Sequence, residues 1–260
     1  MSIAKAATRK KSELATVTID ATGIYYKQLN EQVRDLIAEG CTDIVLDGVN
    51  GQRYIGDGLT MDGVTIVING VPGNDLGVFM DGPEVIVNDN AQDGVGNTMN
   101  AGKIVVKGHA GDVIGYGMRG GKVFVLDNIG YRVGIHMKSF KEQVPVIVAG
   151  GCAGDFFGEY MAGGLLVLLG LNAGEIPLVG SYVGTGMHGG TIFLRGEVTD
   201  HQLGKEVRVF PLDDEDTCQL ESLLKEFAAD TGADLSGVST GQFIKLQPFS
   251  HRPYGNMYCY

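Results

Sequence analysis

The side chains with the widest chemical reach are five histidines (His109, His136, His188, His201, His251) and four cysteines (Cys41, Cys152, Cys218, Cys259). A metal site needs donors at short fixed spacings, such as His-x-x-x-His or Cys-x-x-Cys, so that one turn offers two of them to one ion. The sequence has neither, and no cluster-binding cysteine run. Scattered thiols without a disulfide pattern suit a reducing cytoplasm. Gly115-Tyr116-Gly117-Met118-Arg119-Gly120 spells Gly-x-Gly-x-x-Gly, but it recurs as part of a repeat and opens no helix, so dinucleotide binding fails on context. No serine-hydrolase elbow is expected. Asp93, Asp112 and Asp155 share a corner column with Asn74. Tyr131 and Ser181 interrupt it, so these acids are expected to bond their own turn backbone rather than calcium. Asp62, Asp81, Asn100, Arg119, Lys138, Ala162 and His188 form the one mixed-charge column that a carbohydrate lyase or an esterase would use, and neighbouring charges account for most of it. No catalytic, cofactor-binding or metal-binding residue is assigned.

Those residues hang on a repeat. Short apolar strands begin at Thr65, Glu84, Lys103 and Lys122, 19 residues apart each time, and the pattern continues at Pro145, Leu165 and Thr191. Gly-x-x-Met recurs in step at Gly58/Met61, Gly77/Met80, Gly96/Met99, Gly115/Met118, Gly134/Met137, Gly158/Met161 and Gly184/Met187. A fixed period near 20 residues means a solenoid whose units bury their faces on one another. With no helical periodicity inside the unit, the coil is strand and corner. The expectation is an all-β fold, a right-handed parallel β-helix of about seven coils.

Alternate strand residues point to opposite sides. Ile66 and Ile68, Val85 and Val87, Ile104 and Val106, Val123 and Val125 therefore face inward. Leu76, Val95, Ile114, Val133, Phe157 and Val183 line a second inner wall, and the methionines a third. Gly73, Gly111, Gly130, Gly154 and Gly180 fall at a corner that excludes a side chain. The third strand position points outward yet reads Val67, Ile86, Val105, Phe124, Ile147, Val167, Phe193. Seven such side chains left wet would forgo on the order of 10 kcal/mol, so something must cover that strip.

Residues 1–13 are expected to be a flexible tail, and 14–198 the β-helix, capped by an amphipathic helix at 27–39 carrying Leu29, Val33, Leu36 and Ile37. Residues 199–260 are read as a strand at Val207–Val209, a helix from the acids at Asp213–Asp216 to about Ala229, and an aromatic strap from Phe243 to Tyr260 (Phe249, Tyr254, Tyr258), all packed on the rod. That helix should cover part of the strip, and a partner subunit or a second copy the rest. With 31 acidic against 20 basic residues the net charge is −11, which repels nucleic acid. No signal peptide or membrane span is read, which places the chain in the cytoplasm.

The runs Gly115–Gly121 and Gly184–Gly190, with Asn50-Gly51-Gln52-Arg53-Tyr54-Ile55-Gly56, resemble the Gly-x-Gly-x-Gly repeat domain of the glutamate synthase large subunit, in its stand-alone form. The resemblance covers about residues 15–200, and the segment after residue 200 departs from it. Formylmethanofuran dehydrogenase has a component with the same repeats, which supplies an alternative; an independent hydrolase or lyase is a third. The resemblance implies a non-catalytic scaffold in the synthesis of two glutamates from glutamine, 2-oxoglutarate and a reductant. It places flavin mononucleotide, the iron–sulfur cluster and the glutaminase cysteine on amidotransferase and flavin-binding partner subunits. The chain begins Met1-Ser2, without that cysteine, and homo-oligomerisation is a further expectation.

Overall fold

The computed structural model describes residues 16–249. The tail at 1–13, the start of the expected first strand at Leu14, and the strap residues Tyr254, Tyr258 and Tyr260 lie outside them. Nine parallel strands stack in chain order: β1 Val17–Asp20, β2 Asp43–Asn50, β3 Thr65–Val71, β4 Asp81–Val87, β5 Ala101–Val106, β6 Lys122–Val125, β7 Val146–Ala149, β8 Ala162–Leu168 and β9 Gly189–Arg195. Each coil contributes one strand to this single sheet. Its remaining sides are turns, tied coil to coil by backbone hydrogen bonds such as Gly96 N–H to the Leu76 carbonyl (2.9 Å) and Gly115 N–H to the Val95 carbonyl (2.8 Å). The chain is a parallel β-solenoid.

The register explains the inner columns. Ile66, Val85, Ile104 and Val123 pair in sequence, and all are buried in one core with the column from Leu76 to Val183. Two expectations shift. Leu59, not Met61, holds the first place in the methionine column, because Asp81 N–H bonds the Leu59 carbonyl as Asn100 N–H bonds that of Met80. Met61 is 47% exposed; its coil carries three extra residues, which made a Gly-x-x-Met match by accident two places late. Second, β7 starts at Val146, which pairs with Lys122. Residues 139–145 hold an insertion that hid the register, so Val148 faces outward and Ile147 fills the interior. In a Val-Ile-Val-Ala run period-two patterning is silent.

α1 (Tyr26–Ala38) replaces the Gly-rich corners in the first coil and buries Leu29, Val33 and Ile37 in the rod core. Gln52 anchors it: its buried amide donates to the Ala21 (2.9 Å) and Ile24 (3.2 Å) carbonyls, while its Oε1 accepts from Asn50 N–H. At the other end the direction reverses. β10 (Val207–Phe210) is the edge strand, and β11 (Phe243–Pro248) inserts antiparallel between β9 and β10. The first part of the expected strap is thus a strand of the sheet. Between β10 and β11 lies α2 (Asp214–Thr231), capped by Asp213, whose carboxylate accepts from Asp216 N–H (2.9 Å), and ended by Gly232 in the left-handed conformation.

Candidate partner-binding faces

α2 lies across the outer face of the sheet and makes a second apolar cluster there. Its Leu220, Leu223, Leu224 and Phe227 pack against Phe124, Val148, Val167 and Phe193. Phe227 meets Phe124 edge-on, with centroids 5.7 Å apart at 72°, an arrangement that favours the positive ring edge over the negative face. Ion pairs hold the helix along β5 and β6: Lys103 binds Glu226 (2.9 Å) and Asp230 (2.7 Å), and Lys122 binds Glu226 (2.5 Å). Burial works against the charge on Lys103, yet the hydrogen bonds it donates to Asp230 and Glu226 outweigh it and raise its pKa. Burial likewise opposes ionisation of Glu226, but Lys122 and Lys103 hold its carboxyl below the ordinary range. At the helix start Lys245 of β11 bonds Asp216 and Asp213, and those bonds raise its pKa despite burial.

The expected division of the strip is therefore only half internal. Val105, Phe124, Val148, Val167 and Phe193 are fully covered, so Phe124 and Phe193 serve monomer stability and are not docking anchors. Val45, Val67 and Ile86 lie in the same outward register on β2–β4 and remain half-buried. A groove of about 400 Å³ lies at the starts of β4–β6 beside α2, lined by Glu84, Lys103, Lys122, Val144 and Glu226.

The turn side of the coil carries a different surface. A hexad recurs there seven times, at 54–59, 75–80, 94–99, 113–118, 132–137, 156–161 and 182–187. Its third residue is always glycine. At Gly77 φ is +67° and a Cβ would stand 2.5 Å from Ile104 Cδ1, so a side chain there would be strained and would have to displace that methyl from the core. The first and fifth positions also take positive φ but tolerate side chains, among them Val113, Arg132, Phe79, His136 and Tyr160. These side chains stand outward and stack: His136 lies parallel to Tyr160 (5.3 Å, 9°), Phe156 parallel to Tyr182 (4.9 Å, 12°), and the Arg132 guanidinium sits 4.5 Å from the Phe156 centroid while pairing with Glu159. Sequence reasoning missed this ladder. Its signal was present in the aromatics at outward positions of successive hexads.

The residues weighed for chemistry do not converge. Asp93, Asp112 and Asp155 accept hydrogen bonds from the backbone N–H of Asp112, Tyr131 and Ser181, one coil further on (2.8–2.9 Å). They stitch coils together instead of closing their own turns. The corner glycines have no positive φ at Gly111, Gly130 and Gly180; a Cβ there would fall within 2.0–2.2 Å of those same carboxylates. His136 and His188 are exposed corner residues, and no group of three metal-binding side chains occurs among the described residues. Gly237–Gly241 does spell Gly-x-Ser-x-Gly, contrary to expectation. Ser239, however, caps a short 3-10 turn between α2 and β11, whereas a nucleophile elbow needs a strand before it and a helix after it.

The chain matches the family model described as GXGXG motif over residues 12–246. The chain belongs to the GXGXG family. A relative in Methanocaldococcus jannaschii, described as an uncharacterized protein, is 43% identical over 252 residues, spanning 93% of this chain and 96% of its own. Among solved structures, a chain of the formyltransferase/hydrolase complex from Methylorubrum extorquens, in complex with methylofuran, superposes with a TM-score of 0.60. That match has 20% identity and covers 84% of this chain and 90% of that one. It shows that the solenoid fold is shared. No helix among the described residues is long and apolar enough to cross a membrane.

Proposed function

We propose that this chain is a non-catalytic scaffold subunit of a cytoplasmic glutamate synthase. Amidotransferase and flavin-binding subunits dock on it, and those subunits carry the flavin mononucleotide and the iron–sulfur cluster. The observation that carries the reading is the unfinished strip. α2 covers the outward apolar residues from Val105 to Phe193 and stops, leaving Val45, Val67 and Ile86 half-covered. A monomer that needed no partner would gain by closing that end as well. Family membership supports a scaffold role.

The test is reconstitution. The full chain, mixed with separately produced amidotransferase and flavin-bearing subunits, should co-elute with them and raise glutamine-dependent glutamate formation. Ile86→Asp should leave the melting temperature of the chain unchanged and abolish co-elution. Unimpaired assembly by that variant refutes docking at the strip. Failure of the wild-type chain to assemble refutes the glutamate synthase assignment. A second reading, membership of a formyl-transferring complex, draws on the superposition with the Methylorubrum chain. It predicts co-elution with formyltransferase or hydrolase subunits instead.

A further inference from the structure

The hexad face is self-complementary when reversed. The fifth hexad position reads Gly58, Phe79, Thr98 over three coils and then Gly117, His136, Tyr160 over the next three. Read backwards against itself, the column sets Tyr160 opposite Gly58, His136 opposite Phe79, and Gly117 opposite Thr98. Large meets small at the ends, and aromatic meets aromatic between them. Gly58 has nothing within 4 Å of where a Cβ would stand, so a ring has room there. Phe79 and Tyr160 are 54% and 46% exposed, a poor use of aromatic surface in a lone chain.

Charge obeys the same reversal. The residue after each hexad reads Asp81, Asn100, Arg119, Lys138 for the second to fifth hexads. Inverted about the gap between the third and fourth hexads, the same point as before, Asp81 meets Lys138 and Asn100 meets Arg119. Within one chain this column is unfavourable. Arg119 and Lys138 stand one coil apart, about 4.8 Å along the axis, and neither they nor Asp81 takes an ion pair among the described residues. Arg119 instead donates to the Gly117 (2.7 Å) and His136 (3.1 Å) carbonyls.

We propose that a second copy of this chain packs on the hexad face, antiparallel, about a two-fold axis lying across the rod between the third and fourth hexads. A two-fold in the plane of contact brings each column onto itself in reverse, which is the pairing that both columns satisfy. Six coils span about 24 Å, so the interface is at the small end of the range for stable dimers and the association is concentration-dependent. This face lies apart from the strip on the sheet, so one copy can hold a twin and a different partner together.

Sedimentation velocity of the full chain, from low to high micromolar, tests the proposal. The dimer fraction should rise with concentration and fall with added salt. Asp81→Lys and Lys138→Glu should each raise the dissociation constant about tenfold or more, because the symmetry spoils two contacts at once. Combining both changes in one chain should restore dimerisation, and so should mixing the two single variants, since each arrangement makes both contacts complementary again. Circular-dichroism melts should be unchanged, as both side chains are exposed. A wild-type chain that stays monomeric throughout, or a dimer that the double variant fails to rescue, overturns the proposal.

Discussion

Phe227→Ala is the sharpest probe of how α2 is held. Phe227 is fully buried against Phe124, in the middle of the contact between helix and sheet. The four apolar side chains of the helix, at about 1.5–3 kcal/mol each, supply roughly 6–12 kcal/mol of burial. Truncating the phenylalanine costs about 3–5 kcal/mol, the edge-to-face contact included. That is a large share of what holds α2 and none of what holds the coils, whose core lies on the other side of the sheet. The expected result is local: amide hydrogen exchange speeds up across Asp214–Thr231 by a factor of 100 or more, as about 3 kcal/mol implies, while the ladders of β3–β6 keep their protection. Uniform loss of protection through the coils would show that α2 and the solenoid form one cooperative unit. No change in α2 would show that the ion pairs and β11, not the apolar contact, retain it.

Three further outcomes follow from named contacts. Met118→Asp should prevent folding, because it buries an unpaired charge, while Arg119→Asp should shift the melt by only a few degrees; equal melts would mean that the faces of the turn are reversed. Leu59→Asp should likewise be severe and Met61→Asp mild, and the opposite order in a thermal melt would restore the register first expected. The stability drawn from Glu226, whose pKa is lowered on folding, is present at neutral pH and lost as pH falls through the folded value. That drawn from Lys103, whose pKa is raised, is full at neutral pH and lost as pH rises through its own folded value. Protection of the α2 amides, taken relative to the intrinsic exchange rate at each pH, should therefore be greatest near neutrality and fall in acid, and Glu226→Gln should flatten the acid limb; an unchanged limb would assign it elsewhere.

Repetition made most of this fold readable. A 19-residue period fixes which residues stack, and alternation along four clean strands fixes which face inward, so the solenoid and its inner columns follow from the sequence. What the sequence hid has physical causes. Insertions broke the period at Met61 and before Val146, and a run of apolar residues carries no parity, so Ile147 was placed outside. The strap residues from Phe243 joined the sheet because β9 offered an unpaired edge, a contact with no local signature. The stacked rings at His136 and Tyr160 depend on left-handed backbone at non-glycine residues, which local preference argues against and which the neighbouring coils impose. For the strip, the sequence showed that a cover was needed and named α2 as part of it. How far α2 reaches depended on the length of one helix and where its ion pairs anchor it.

The reversal of direction at β11 and β10 has a consequence for growth. A stack of identical parallel rungs is a template: its last open edge matches its first, and copies can add end to end without limit. Here β11 breaks the parallel order by pairing antiparallel with β9, and β10 beyond it is an edge of only four residues, too short a template for an arriving rung. The described rod therefore has two unlike ends, a parallel rung at β1 and an antiparallel pair at β11 and β10. Assembly is thereby directed to the sides, where specific side chains choose the neighbour, and away from the tips, where backbone alone would accept any copy.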